Sequence, residues 1–189
     1  MTLDASNLEL SHAAELFGDL LLFELDADRL ARLQEPEVAA ALASLGIEVP
    51  AAGATDAAEL DELAADFFAL FLQPDPGAPP VQSVWDTGSF EGEPAACIRR
   101  HAKAAGLDFD RLGARGSAVD HLGSILQLWA DANRHTAGAD TAEHLRTHHL
   151  EWGQRALASA ADHDGFYGQI ARAASALIGE IVAGGPPGN

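Results

Sequence analysis

Apolar side chains recur along this chain at intervals of three and four residues and almost nowhere at intervals of two. From Leu60 the stripe continues through Leu63, Ala64, Phe67, Leu70 and Phe71, and from Val119 through Leu122, Ile125, Leu126 and Trp129. That is the 3.6-residue period of a helix with one face turned to a core. β-branched residues are scarce, and no run alternates long enough for a half-buried strand. The pattern predicts an all-α fold, a single compact helical domain of about eight to ten helices in two lobes.

The helices are expected near 7–24, 27–34, 36–45, 56–73, 90–105, 117–136, 141–161 and 165–183. Asp56 with Glu59 and Asp140 with Glu143 have capping-box spacing, and Ser117 and Asp164 offer two further caps. Pro36 suits a first helical turn, and Gly46 and Gly106 suit helix C-termini. The less regular stretch 107–116 divides an N-terminal lobe, 1–106, from a C-terminal lobe, 117–183. The tail 184–189 has nothing to pack with and is expected to fray. Exchange of helices across the connecting stretch would give a swapped homodimer, the alternative to a monomer.

Charge narrows the partners. With 29 acidic residues against 11 basic ones the formal charge is −18, and Lys103 is the one lysine. Such a field repels phosphate backbones and anionic lipid, so nucleic acid is excluded as a partner and a cationic ligand is favoured. No apolar run approaches a membrane span, and Met1-Thr2-Leu3-Asp4 lacks the basic start of an export signal, which predicts no membrane insertion and a cytoplasmic protein. A single cysteine, Cys97, rules out an internal disulfide and a multi-cysteine metal site, and is expected to be a small buried apolar group.

Catalytic patterns mostly fail. There is no Gly-rich phosphate loop and no Gly-x-Ser-x-Gly elbow, and one Asp86-Thr87-Gly88 in a helical chain cannot supply the paired carboxylates of an aspartic protease. His144, His148 and Glu151 lie at spacings that put them on one helix face. With His121 they define the alternative reading, a metal-dependent hydrolase, which requires convergence from two helices. Asp120-His121-Leu122-Gly123 is unusual in another way, because two polar groups open an apolar helix.

Most distinctive is the run from Phe67 to Asp86. An aromatic-rich helix end, Phe67-Phe68-Ala69-Leu70-Phe71-Leu72, enters a loop stiffened by Pro74, Pro76, Pro79 and Pro80 and carrying Gln82-Ser83-Val84-Trp85. A rigid loop that presents aromatic groups suits capture of a peptide.

Three blocks, in order, resemble the TorD/DmsD/NarJ family of redox-enzyme maturation chaperones. They are Phe67–Trp85 with its Pro79-Pro80-x-x-Ser83-Val84-Trp85, then Asp120-His121-Leu122-Gly123-Ser124-Ile125-Leu126, which is most similar to the DmsD form, then His148-x-x-x-Trp152 followed by Phe166-Tyr167. The chain departs from the pattern at Val81, at Ala118-Val119 and at His149. The resemblance implies a cytoplasmic all-helical chaperone that holds the twin-arginine leader of a molybdopterin-containing reductase precursor while its cofactor is inserted. Leu70, Phe71, Pro80, Gln82, Ser83, Trp85, Asp120, His121 and Gly123 would surround the peptide groove, with Asp120 as guanidinium acceptor and Gly123 permitting close helix approach. No bond is made or broken in such a role, so it implies no catalytic residue, metal or cofactor, and the chain would not be an enzyme.

Overall fold

The computed structural model describes residues 5–51, 57–73, 77–107 and 118–184. Asp56, Pro74, Pro76, Ser117, most of the 107–116 connection and the tail beyond Gly184 lie outside them. Ten α-helices are present among the described residues: α1 (Ala5–Leu22), α2 (Ala27–Leu33), α3 (Pro36–Ser44), α4 (Ala57–Phe67), α5 (Gln82–Thr87), α6 (Glu93–Ala104), α7 (Leu122–Arg134), α8 (Ala139–His148), α9 (Gly153–Ala161) and α10 (Phe166–Ala183). There is no sheet among them, only an isolated antiparallel bridge between Val81 and His121. The all-α expectation therefore holds.

α7 is the centre of the molecule, with every residue from Leu122 to Ala130 buried. α1 lies along it, and α8 and α10 flank the pair. A small-residue contact lets α1 and α7 approach. A β-carbon on Gly123 would stand 2.6 Å from the carbonyl oxygen of Gly18, and one on Gly18 would stand 2.8 Å from that of Gly123. Backbone therefore meets backbone here, where any larger residue would push the helices apart. Phe17 and Leu21 of α1 join Leu122, Ile125 and Leu126 of α7 in one core, which spans both sides of the 107–116 connection.

A second focus is Tyr167, fully buried near the start of α10. Its ring meets Phe67 and Phe71 edge-on, at 5.3 and 5.8 Å between centroids. Its hydroxyl accepts a hydrogen bond from the Leu25 amide at 3.0 Å, which fixes the turn between α1 and α2. Burial pushes the phenol up to about 12.

Several local differences from the sequence expectations have physical causes. The helix expected to reach 73 ends in a π-helical turn, Phe68–Leu72, closed by the Gln73 amide on the Phe68 carbonyl at 2.8 Å. The widened turn leaves Phe71 buried while Phe68 and Leu72 stay exposed. A short helix, α5, forms within the stiffened loop, between the helices expected over 56–73 and 90–105. Asp140 is not a cap, because a 3₁₀ turn at Thr136–Gly138 feeds directly into α8 and leaves Asp140 inside the first turn. Asp26, not singled out in the sequence, does cap its helix, with its side chain accepting from the Arg29 amide at 2.8 Å.

One further difference matters most for the site. The single helix expected over 141–161 breaks at 149–152, although its apolar stripe continues through the break. Side chains satisfy the carbonyls released there. Trp152 Nε1 donates to the His149 carbonyl at 2.9 Å, and Gln82 Nε2 donates to that of His148 at 3.3 Å. The corner buries Trp152 and seats Gly153 against Leu122 and Ile178.

Candidate functional site

The proline loop and the start of α7 are joined as two short extended segments. Gln82 N donates to the Asp120 carbonyl at 2.9 Å, and Leu122 N donates to the Pro80 carbonyl at 2.8 Å. Pro80 can occupy this edge because only its carbonyl is needed there. Ser83 then turns its backbone amide and its hydroxyl onto Asp120 Oδ2, at 2.9 and 2.5 Å. The same hydroxyl accepts from the Gly92 amide at 2.8 Å, tying in the start of α6. Asp120 is fully buried, and its Oδ1 has no hydrogen-bond partner among the described residues.

Beside it, His121 is the N-cap of α7, with Nδ1 accepting from the Gly123 amide at 3.1 Å. Nδ1 therefore carries a lone pair, and the ring is a neutral cap rather than a cation. Burial lowers its proton affinity, against an opposing pull from the Asp120 carboxylate, to about 4. Asp120 thus precedes the helix cap, whereas the sequence pattern had placed it in the first turn.

Gln82 links this scaffold to the α8–α9 corner. With its amide nitrogen donating to His148 O, its oxygen Oε1 is left to accept from His149 Nδ1, 2.7 Å away. His149 is buried, and desolvation followed by the nearby His144, His148 and His101 lowers its pKa to about 4.

Between α5 and that corner opens a cleft of about 540 Å³ lined by Gln82 and Asp86 on one side and Thr147, His148, Glu151, Trp152, Gln154 and Arg155 on the other. Asp86 and Glu151 bring exposed carboxylates to it. Trp152 provides the buried aromatic wall, and the Trp85 ring stands 6.4 Å from it with 37% of the residue exposed. Trp85 Nε1 donates to the Pro79 carbonyl at 3.0 Å, which keeps the indole on the loop.

Of the residues singled out in the sequence, Pro80, Gln82, Ser83, Asp120, His121 and Gly123 come together as the frame beneath this cleft. Trp85 faces Trp152, and the link between its helix and α7 runs through Gln82 and Ser83. Leu70 is half-buried and Phe71 fully buried in the aromatic core around Tyr167. Asp86, Trp152 and Arg155 were not among the expected groove residues. The Trp152 in the third motif block was the sequence signal for that wall.

The convergence required by the hydrolase reading does not form among the described residues. His121 is committed to Gly123, and the group of potential ligands whose atoms lie within 4.8 Å of one another consists of Cys97, His101 and His144, without His121 or Glu151. Cys97 is also not the buried apolar group expected, since it is part-exposed with Sγ 3.3 Å from His144 Nε2.

No helix among the described residues is long and apolar enough to cross a membrane. No curated protein matches the chain. The family model for the nitrate reductase delta subunit matches residues 31–164, a span that holds α3 to α9, the proline loop, the Asp120–Gly123 cap and the cleft. This is a family of redox-enzyme maturation chaperones that act on molybdoenzyme subunits. With that match over most of its length, the chain belongs to the nitrate reductase delta subunit family.

Proposed function

We propose that this chaperone binds the twin-arginine leader of a molybdoenzyme catalytic-subunit precursor and retains it in the cytoplasm while the cofactor is inserted. Among the branches of the family, the form of the Asp120–Gly123 motif favours a client related to that of DmsD. The observation that carries the reading is the cleft itself. A leader with two guanidinium groups followed by an apolar stretch needs carboxylates beside aromatic surface. Asp86 and Glu151 provide the first, and the exposed Trp85, backed by the buried Trp152, the second.

In this reading Asp120 and His121 are positioning residues. The buried Asp120 carboxylate holds Ser83, and Ser83 places α5 as the wall of the cleft. Leu70 and Phe71 support the frame from the aromatic core. Titration of the full chain with a synthetic leader should give saturable binding that weakens with salt, because part of the attraction comes from the acidic surface. A leader with both arginines replaced by glutamine should bind at least fivefold more weakly at low salt. Equal affinity for the two peptides would remove the guanidinium component.

A further inference from the structure

One cluster of metal-binding side chains lies outside the cleft. Cys97 and His101 are one turn apart on α6, and His144 faces them from α8. Their ligand atoms all lie within 4.8 Å of one another, with Cys97 Sγ and His144 Nε2 at 3.3 Å. In a tetrahedral zinc site, bonds of about 2.3 Å to sulfur and about 2.0 Å to nitrogen put neighbouring ligand atoms about 3.5 Å apart. The His101 and His144 rings are stacked at 3.6 Å and nearly parallel, so their in-plane lone pairs do not meet as they stand, and binding requires the part-exposed His101 ring to turn out of the stack.

The fourth position has its own evidence. His149 lies beside the cluster, its ring centroid 5.2 Å from that of His144, although its ligand atoms fall outside the 4.8 Å group and must move closer to complete a site. Gln82 Oε1 accepts from its Nδ1, which leaves the lone pair on Nε2. That Nε2 is buried and has no partner among the described residues. A histidine whose outer nitrogen is held by an oxygen acceptor, with the other nitrogen unpartnered, is arranged as a metal ligand is by its supporting shell.

We propose that Cys97, His101 and His144, completed by His149, form a binding site for a thiophilic divalent ion of the zinc type. One thiolate with imidazoles selects zinc over magnesium or calcium, which require oxygen ligands. Binding expels the thiol proton to solvent, with no redox change. The ion ties α6 to α8, the helix that leads into the wall of the cleft. The site is independent of the leader-binding reading, and each can fail without the other.

The test is titration of the untagged, reduced full-length chain with Co²⁺ and then Zn²⁺. One equivalent of Co²⁺ should give the visible bands of tetrahedral cobalt and a thiolate-to-cobalt charge-transfer band, both displaced by Zn²⁺. Cys97→Ser should abolish the charge-transfer band, and His144→Ala should weaken Co²⁺ binding at least tenfold. His163→Ala, on another part of the surface, should change neither. As a second readout, Zn²⁺ should protect Cys97 from alkylation in the wild type and not in His144→Ala. Absence of the charge-transfer band, or equal alkylation rates with and without Zn²⁺ in the wild type, overturns the proposal.

Discussion

Ser83 and Asp120 are joined twice, because the amide and the hydroxyl of Ser83 both donate to one carboxylate oxygen, Oδ2, of a fully buried Asp120. This pair is the joint between the proline loop and the central helix. Removing a buried acceptor strands its donors, and a charged acceptor contributes more than a neutral one. Asp120→Ala should therefore lower stability by about 3 kcal/mol or more in urea unfolding, whereas Asp120→Asn, which can still accept from Ser83, should cost about half as much. Equal, near-zero costs would show that the pair does not hold the joint.

Gly123 gives a steric prediction. Its missing β-carbon is the space occupied by the Gly18 carbonyl and Leu22, and backbone cannot rotate away as a side chain can. Gly123→Ala should destabilise the fold by about 2–3 kcal/mol despite alanine's better helix propensity. Thermal unfolding of Gly123→Ala against Gly179→Ala measures the difference, since a β-carbon on Gly179 meets only the end of the Gln154 side chain, at 3.0 Å. Comparable melting temperatures would mean that α1 and α7 have room to separate.

How far the sequence revealed all this depended on whether the signal was local. Helix type followed from periodicity, and the proline loop with the Asp120–Gly123 block followed from motif residues, so the frame of the site was legible. The α8–α9 corner was not. Its stripe runs unbroken through Leu145, His149, Trp152 and Ala156, with no proline, and at the break the released carbonyls are taken up by Trp152 and by Gln82, which is distant in sequence. The cleft depends on that corner, and so Asp86 and Arg155 carried no mark in the sequence. Cys97 was misread for the same reason, because its neighbours arrive from a helix more than forty residues away.

The buried cap predicts a pH dependence. His121 titrates near 4 in the fold, mainly through desolvation and despite the favourable charge of Asp120, against an ordinary value of 6.5. Below about 6.5 the unfolded chain takes up a proton that the native chain refuses, so stability is complete above that pH and falls as the pH drops toward about 4. The full loss from this one group is about 3 kcal/mol. His121→Asn retains capping ability but does not titrate, and should be less sensitive to pH than the wild type over that window. Parallel curves for the two proteins between pH 7 and pH 4 would show that His121 is not held neutral.

The last prediction separates contact from support in the proposed leader site. Trp85 is 37% exposed and Asp86 and Glu151 lie at the surface, so Trp85→Ala and the paired change Asp86→Asn with Glu151→Gln should each leave stability within about 1 kcal/mol of wild type. Each should still weaken leader binding by about tenfold, which is about 1.4 kcal/mol. The two variants should differ in their response to salt. Trp85→Ala keeps the wild-type salt slope because it removes apolar contact, whereas the paired carboxylate change flattens the slope because it removes charge. Asp120→Asn should show the opposite profile, with a clear loss of stability and a binding defect that retains the wild-type salt slope, as expected of a residue that acts through Ser83. Leader titrations at low and high salt on the three proteins, each with a thermal melt, distinguish these patterns. If the paired variant bound the leader with wild-type affinity and slope while Asp120→Asn lost the salt dependence, the guanidinium would be reaching the buried carboxylate, and the cleft between α5 and the α8–α9 corner would not be the site.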